Sequence, residues 1–277
     1  MKIGNLLSCA RTFGARRFSA KAFPADLVLV REENGVRNII LNNPTKRNVL
    51  SLDMVSAISH ALTDDPSLRC LLITAHGNVF SAGHDLPELQ HQPRQGQVLK
   101  ATADLMIQLR DLSVPTVAKV SGAVVAAGMQ LMASCDIVMA SSCSTFSTPG
   151  VNLSVGCLTP IIAVSRSANV KASAFMLLTG KPVTAEQALT AGLITAHCPK
   201  QELDAATDDV IQCLVQKSRP VLALGKAFFY QQLDMSLEAA YEDGCRTMSR
   251  NIQHPDAQKG IDAFVRKQKP VWTHDPW

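Results

Sequence analysis

The sequence lacks several features that define common classes of protein. No apolar run reaches the ~18 residues that a membrane-spanning helix needs, so we expect no membrane span. The eight cysteines show neither Cys-x-x-Cys nor paired Cys and His spacing, which argues against a zinc site and a disulfide framework. We therefore expect no bound metal, and reduced thiols that are mostly buried. The sequence also has no regular internal repeat and no low-complexity segment.

Acidic residues are missing from the first 21 positions, although these positions carry five basic residues: Lys2, Arg11, Arg16, Arg17 and Lys21. The whole chain has 27 basic and 23 acidic residues, a formal charge of +4. Without the five basic residues of the leader, 22 basic residues stand against 23 acidic ones, a balance of −1. This near-neutral balance implies no nucleic-acid partner.

The basic, serine-containing leader is typical of an organellar transit peptide, and arginine interrupts its apolar residues, unlike in a secretory signal. The tetrapeptide Arg16-Arg17-Phe18-Ser19 resembles a mitochondrial processing site with cleavage after Phe18. The sequence thus predicts a transit peptide over residues 1–21 and a location in the mitochondrial matrix. A disordered basic tail is the alternative.

The remaining chain has an α/β pattern followed by a helical one. With 277 residues, 47% of them hydrophobic, it is long enough for one or two globular domains with a substantial core. Strand and helix patterns alternate through residue 140, which favours an α/β fold. Asn34-Gly35 predicts a hairpin, Ser51 the N-cap of a helix, and Thr184 a capping box with Gln187. Beyond residue 200 the pattern is helical almost to the end. We predict a core over residues 22–200 and a C-terminal helical region over 201–277.

The stretch Ser121–Ala140 is the most informative part of the chain. An apolar strand at Thr116–Val120 leads into a turn of small residues at Gly122–Ala127, and a helix opens near Gly128. Small residues leave the backbone N–H groups of a helix N-terminus uncovered, and the helix dipole favours negative charge there. The sequence predicts a site for a developing negative charge. Close packing of the helix, which also selects alanine and glycine, is the alternative.

Five segments, taken in order, resemble the crotonase (enoyl-CoA hydratase/isomerase) superfamily. They are Asn42–Leu50, Phe80–Leu86, the stretch ending at Ile137, Thr184–Pro199 and Gly260–Pro270. The resemblance implies a crotonase (ClpP-like) fold, with a ββα-spiral core and a C-terminal helical trimerisation region, in a homotrimer or hexamer. It also implies an acyl-CoA thioester as the ligand or substrate and no further cofactor.

The same resemblance implies an oxyanion hole. The backbone N–H groups of His84 and Ala127 would bind the thioester oxygen, with Ala82 and Gly128 beside them as substrate-binding residues. Fixed donors of this kind stabilise an enolate or a thioester oxyanion. Asp85 would hold or cap the first oxyanion loop, although an ordinary turn aspartate fits the position equally well.

Four further residues are implied in binding CoA. Lys46 and Arg47 would hold the CoA phosphates, a role that suits strongly charged donors. Phe264 and Lys267 would reach the adenine end, in some relatives across a subunit interface. Solvated surface charge is the alternative for the three basic residues.

The two catalytic glutamates that hydratases of the superfamily use are missing. The resemblance places them at Gln130 and Gly150, where an amide and a hydrogen replace the titratable groups. Hydration of a C=C bond needs a base for water and a proton source for carbon, so we expect no conventional hydration. The imidazole of His84 is a possible substitute, whereas Cys157 has no evident base beside it.

Three functions remain open from the sequence. The first is an acyl-CoA-binding protein of mitochondrial fatty-acid and lipid metabolism with weak or absent hydratase activity. The second is an enzyme that needs only the oxyanion hole, such as a decarboxylase of a malonyl-type CoA. The third is a non-catalytic interaction or regulatory protein, against which the intact oxyanion and Lys46/Arg47 loops speak.

Overall fold

The computed structural model describes residues 27–277, so the predicted transit peptide and its processing site lie outside the described residues. The strands are β1 (Val28–Glu33), β2 (Val36–Leu41), β3 (Cys70–Ala75), β4 (Val79–Ser81), β5 (Thr116–Val120), β6 (Ala123–Val125), β7 (Ile137–Ser141), β8 (Thr145–Ser147), β9 (Val183–Thr184) and β10 (Ala196–Cys198). The helices are α1 (Leu52–Ala61), α2 (Leu86–Leu89), α3 (Arg94–Asp111), α4 (Ala127–Ala133), α5 (Leu158–Ser167), α6 (Val170–Thr179), α7 (Ala185–Thr190), α8 (Leu203–Val215), α9 (Arg219–Gln232), α10 (Leu237–Gln253) and α11 (Pro255–Val265).

From β3 to β8, consecutive strands alternate between two sheets. The six-stranded sheet has the order β1-β2-β3-β5-β7-β10, and the four-stranded sheet has the order β4-β6-β8-β9. Neighbours from β2 to β10, and from β4 to β8, are parallel. Each pair of strands from β3 to β8 therefore adds one strand to each sheet, and helices connect one pair to the next. The predicted ββα-spiral of the crotonase fold is confirmed.

Several local signals act as the sequence predicts. Asn34 and Gly35 adopt positive φ angles of 51° and 78° and join β1 to the antiparallel β2. The Ser51 hydroxyl accepts a hydrogen bond from the N–H of Met54 and caps α1. Thr184 opens α7 with the predicted capping box.

The sequence predicts a turn over Gly122–Ala127, but the middle residues Ala123–Val125 form the short strand β6. This part of the prediction is wrong. Gly122 has a φ of 90°, and a Cβ there would lie 2.0 Å from the carbonyl oxygen of Asn78. Because Gly122 has no side chain, the segments around Gly122 and Asn78 can lie close together. Val124 is fully buried, so three residues suffice to place β6 between β4 and β8.

Apolar clusters cover both faces of the six-stranded sheet. Leu71 and Ile73 point into the main cluster, whereas Leu72 between them contacts a second cluster, as the alternation of a strand requires. That second cluster includes Leu203 and Ile211 of α8. Helix α8 thus packs on the sheet and anchors the helical region to the core.

Helix α9 is joined to the core by a polar contact. The ammonium group of Lys226 lies 2.8 Å from the carboxylate of Asp136 and also donates to the carbonyl groups of Leu109 and Val114. The Tyr230 hydroxyl donates to the same carboxylate at 2.7 Å. These bonds fix α9 beside the segment that connects α4 to β7.

Within residues 27–277, none of the helices combines the length and the apolar character that crossing a membrane requires. The seven cysteines in this range are free. Three of them are buried, but Cys143, Cys213 and Cys245 are exposed, so the expectation of mostly buried thiols is wrong. The exposed thiols lie on a surface turn or on the outer helices, where packing places no demand on them.

Candidate functional site

The carboxyl ends of β4, β6 and β8 bring three loops together. Because these strands are parallel neighbours, the residues that follow them meet at one edge of the sheet. The N–H of Ala126 donates to the carbonyl of Ser147 at 2.9 Å, which joins the second loop to the third. A Cβ on Gly83 would lie 3.2 Å from the nitrogen of Ala127, which places the first loop against the second.

Two glycines allow this close approach. Gly83 has a φ of 90°, and a Cβ there would lie 2.9 Å from the Cβ of Ala126. A Cβ on Gly128 would lie 2.7 Å from the carbonyl oxygen of Ser81. Tight packing at the start of α4, the alternative interpretation of the small residues, is therefore present.

Ala126 shapes the second loop through an unusual backbone conformation. Its φ of 48° and ψ of −116° are rare for a residue with a Cβ. Its N–H and its carbonyl are both hydrogen-bonded, to Ser147 and to Met129, and hold it in place. Strain of this kind is typical of functional sites, because the surrounding structure must offset its cost.

Two backbone N–H groups at this site have no partner among the described residues. Neither the N–H of His84 nor that of Ala127 donates a hydrogen bond to a backbone or side-chain group in residues 27–277. Ala127 is fully buried, and an unpaired buried N–H is costly. The two donors follow neighbouring strands, an arrangement that suits a single oxygen acceptor with partial negative charge.

The loop that carries Lys46 and Arg47 is bonded to the first oxyanion loop. The carbonyl of Arg47 accepts from the N–H of Ala82 at 2.9 Å, and the N–H of Leu50 donates to the carbonyl of Gly83 at 2.7 Å. The side chains of Lys46 and Arg47 are exposed. The structure therefore holds two cations at the surface next to the unpaired N–H groups.

Asn48 fixes the shape of that loop. Its side-chain amide is fully buried, donates to the carbonyls of His76 and Val79 at 2.9 Å, and accepts from the N–H of Asn43 at 2.8 Å. Its φ of 52° is in the left-handed region, which asparagine tolerates better than most residues. The sequence motif contained Asn48, but its role as the anchor of the loop was not predicted.

Asp85 is the residue predicted to hold or cap the first oxyanion loop. It occupies the N-cap position of α2, yet its side chain makes no capping hydrogen bond. Its carboxylate lies 3.8 Å from the ammonium group of Lys46 instead. The contact links the first oxyanion loop to the loop of Lys46 through charge.

The imidazole of His84 is directed inward. Its Nδ1 atom lies 3.4 Å from the carbonyl oxygen of Leu50, and its Nε2 atom is buried without a partner in the described part of the chain. Burial lowers the pKa of His84, and the Leu50 carbonyl and the nearby carboxylate of Glu88 only partly oppose this effect. The ring is therefore neutral at physiological pH.

Gln130 and Thr148 contribute two more buried polar atoms without partners. Gln130 is 5% exposed and Thr148 is fully buried, and neither the Oε1 atom of the amide nor the hydroxyl oxygen has a partner within residues 27–277. His84 carries a third such atom. The three atoms belong to the loop after β4, to helix α4 after the second loop, and to the loop after β8. Buried polar groups are normally paired, so this cluster indicates a place for polar groups of a ligand or for water. Thr148 is not among the predicted site residues.

Gly150 lies in a short 3-10 turn, Pro149–Leu153. A Cβ there would lie 2.3 Å from the carbonyl oxygen of Val155 and 2.8 Å from the sulfur of Cys157. Burial raises the pKa of Cys157, so its thiol stays protonated. The turn is built around a residue without a side chain and has no space for one.

Phe264 and Lys267 are not brought to the site within one chain. They lie at and just beyond the end of α11, where Phe264 is 84% exposed. Over residues 27–277, no hydrogen bond or ion pair joins either side chain to the three loops. The same part of the chain contains no group of three or more potential metal ligands.

Comparisons with known proteins agree with this architecture. The family model described as enoyl-CoA hydratase/isomerase matches residues 31–275. The chain is 41% identical to enoyl-CoA hydratase domain-containing protein 3, mitochondrial, of Danio rerio, over 97% of this chain and 95% of that protein. The crystal structure of the human protein of that name superposes with a TM-score of 0.87 at 42% identity, over 89% of this chain and all of that one. An enoyl-CoA hydratase from Mycobacterium smegmatis gives 0.86 at 36% identity, over 89% and 98% of the two chains. The chain belongs to the enoyl-CoA hydratase/isomerase family.

Proposed function

We propose that the protein binds an acyl-CoA thioester with its carbonyl oxygen between the N–H groups of His84 and Ala127. The observation that carries the proposal is the pair of unpartnered donors on neighbouring loops. In this family such donors bind the oxygen of a thioester. Loss of one oxyanion donor typically costs ~3–4 kcal/mol of transition-state stabilisation. The two N–H groups together would therefore strongly stabilise an enolate.

The CoA moiety is proposed to extend across Lys46 and Arg47. Both cations lie on the loop that is bonded to Ala82 and Gly83, so phosphates can be held at a fixed distance from the thioester. The planar guanidinium of Arg47 can donate two parallel hydrogen bonds to phosphate oxygens, and the ammonium group of Lys46 attracts them as a compact positive charge. Phe264 and Lys267 are proposed to reach the adenine of a ligand on a neighbouring subunit, within a homotrimer or hexamer.

Conventional hydration is not part of the proposal. By the family resemblance, Gln130 and Gly150 stand where hydratases hold their glutamates. The amide does not titrate near neutrality, and the turn at Gly150 has no space for a carboxylate side chain. We infer weak or absent hydratase activity.

The relatives named mitochondrial support a mitochondrial location, and the basic leader supports import into the matrix. We propose a role in fatty-acid and lipid metabolism there. N-terminal sequencing of the mature protein is expected to find a start near Ser19. Intact Met1 in protein from the cytosol would contradict import.

Titration of residues 19–277 with hexanoyl-CoA tests binding. Lys46→Ala and Arg47→Ala are each expected to raise Kd about tenfold, because a charged hydrogen bond contributes about 1.5 kcal/mol or more. Lys171→Ala, which removes an exposed lysine on α6, is the control and should leave Kd unchanged. Equal affinities for all four proteins would remove the Lys46/Arg47 loop from the CoA site.

A second candidate is decarboxylation of a malonyl-type CoA, which forms an enolate without proton abstraction. The hydroxyl of Thr148 can donate a hydrogen bond to a substrate carboxylate, and the uncharged Gln130 lacks the negative charge of a glutamate, so both residues favour it. Release of labelled CO₂ from methylmalonyl-CoA is the test. No release from protein that binds the thioester would exclude this candidate.

A further inference from the structure

We propose that Glu88 is a positioning residue of the oxyanion hole. Its side chain attaches the segment after His84 to the start of α1, so that the N–H of His84 is held ready for the thioester oxygen. Glu88 itself does not touch the ligand and acts through the backbone of His84. The inference rests on the acyl-CoA binding proposed above and names a residue on which that binding depends.

Backbone pairing attaches one end of this segment. Leu50 and His84 form a parallel β-bridge, and the N–H of Leu50 donates to the carbonyl of Gly83 at 2.7 Å. The acceptor belongs to the peptide group that precedes His84, so the pairing holds that peptide group and leaves its N–H, the proposed donor, without a partner within residues 27–277.

The side chain of Glu88 attaches the other end. Its Oε2 atom accepts from the N–H of Leu52 at 2.8 Å, and its own N–H donates to the carbonyl of Asp85 at 3.1 Å. Residues 84–88 are therefore joined at both ends to the same three residues, 50–52. A segment that is held at both ends has few conformations available, and the direction of the His84 N–H is fixed with it.

Arg94 balances the charge that Glu88 brings close to the oxyanion hole. The carboxylate of Glu88 acts on the pKa of His84, raising it against the effect of burial, and it is only 18% exposed. A lone carboxylate there would oppose negative charge on the thioester oxygen. The guanidinium of Arg94 donates to the Oε1 atom at 2.9 Å and offsets that charge. Glu88 therefore supplies an acceptor of fixed position and little net charge.

Two ligands that differ in one oxygen atom test the inference. Hexanoyl-CoA has a thioester carbonyl, whereas the thioether S-hexyl-CoA has none, and wild type is expected to bind hexanoyl-CoA more tightly in calorimetric titrations. Glu88→Ala should raise the Kd of hexanoyl-CoA about fivefold, the effect of one hydrogen bond, and that of S-hexyl-CoA less than about twofold. Glu186→Ala, which removes an exposed glutamate from the first turn of α7, is the control and should match wild type for both ligands.

Leu52→Pro removes the other partner of the same hydrogen bond. Leu52 is the first residue of α1, where proline is tolerated, and Ser51 before it has the extended angles that a following proline favours, with φ −69° and ψ 165°. This variant should show the same dependence on the ligand as Glu88→Ala. Val170→Pro, at the first position of α6, is the matched control, because its N–H has no acceptor in the described part of the chain.

The outcomes separate the positioning role from the proposed function. Wild-type protein that binds neither ligand, or binds both equally, would overturn the proposed function. A wild-type preference for hexanoyl-CoA that persists in Glu88→Ala and in Leu52→Pro would overturn the positioning role alone. Equal weakening of both ligands would also overturn it, since a contact that only stabilises the fold does not distinguish a carbonyl group. If Glu88→Ala does not fold, Leu52→Pro decides.

Discussion

Ala126 has a backbone conformation that its Cβ disfavours, and it directly precedes the proposed donor Ala127. Glycine relieves such strain, so Ala126→Gly is expected to raise the free energy of unfolding by about 1 kcal/mol. Ala133→Gly, in the last turn of the same helix, is the matched control and should lower it by about 0.5–1 kcal/mol. Chemical denaturation measures both. A destabilised Ala126→Gly variant would show that the alanine is not strained.

A substitution at Gly150 tests whether the turn can accept a side chain where, by the family resemblance, hydratases have a glutamate. Gly150→Ala places a methyl group 2.3 Å from the carbonyl oxygen of Val155, and overpacking of this kind costs about 1–3 kcal/mol. Gly225→Ala is the control, because nothing lies within 4 Å of the added Cβ and alanine favours the helix. Thermal denaturation should show a lower Tm for the first variant and an equal or higher Tm for the second. A Gly150→Ala variant as stable as wild type would contradict a turn closed around glycine.

At the scale of elements, long patterned segments were predictable from the sequence and short ones were not. The hairpin at Asn34-Gly35 and the capping box at Thr184 depend on local chemistry, so the sequence alone predicted them. Strand β6 has only three residues, too few for a periodic pattern, and its place is set by pairing with β4 and β8. Because this pairing joins segments that are far apart in the sequence, local signals could not show that the three loops meet.

The candidate site was predictable in outline through resemblance and not in detail. His84 and Ala127 do lie on adjoining loops. The positive φ of Ala126 has no sequence signal, since alanine is not a turn residue. Asp85 was predicted to hold or cap the first loop, but its contact with Lys46, on a different loop, has no local signal in the sequence.

The C-terminal tail is fixed by one buried carboxylate on α11. Asp256 accepts hydrogen bonds from the hydroxyl of Ser218, from the N–H and hydroxyl of Thr273, and from the N–H of His274. Burial alone would raise the pKa of Asp256, but these bonds outweigh it and lower the pKa to about 2. A carboxylate whose pKa is lower in the folded state stabilises the fold above its unfolded pKa, near 3.8, and that stabilisation is lost as pH falls towards 2.

Asp256→Asn is therefore expected to lose about 2 kcal/mol at pH 7 and to show a smaller further loss between pH 4 and 2 than wild type. Trp272 and Trp277, the only tryptophans, both lie in the tail, so tryptophan fluorescence in a urea titration measures its release. Asp262→Asn, an exposed residue of the same helix that pairs with Arg266, should change stability by less than about 1 kcal/mol. Equal pH profiles for wild type and Asp256→Asn would contradict the role of the carboxylate.

At the scale of the molecule, the C-terminal helices expose much apolar surface. Helix α10 has no buried residue, and Leu237 and Tyr241 are about 70% exposed. A groove of about 590 Å³ between α9 and α10 is lined by Phe228, Tyr241 and Met248, among others, and is separate from the three loops. Exposed apolar surface of this extent is typical of an interface.

We expect a homotrimer or a hexamer in solution, with this helical region at the interface. Sedimentation velocity of residues 19–277 should give the corresponding mass. Tyr241→Glu, which puts a charge on the exposed face of α10, should shift the distribution towards smaller species, whereas Lys100→Glu on α3 should not. A wild-type monomer at micromolar concentration would contradict the expectation.

The most direct test of the central claim observes the thioester carbonyl itself. Infrared difference spectroscopy of hexanoyl-CoA labelled with ¹³C at the carbonyl should show the C=O band at lower wavenumber in the complex than in water, because two fixed N–H donors polarise the bond. His84→Ala should retain the shift, since it keeps the backbone donor. A bound ligand whose carbonyl band stays at its solution position would contradict the claim that His84 and Ala127 form an oxyanion hole.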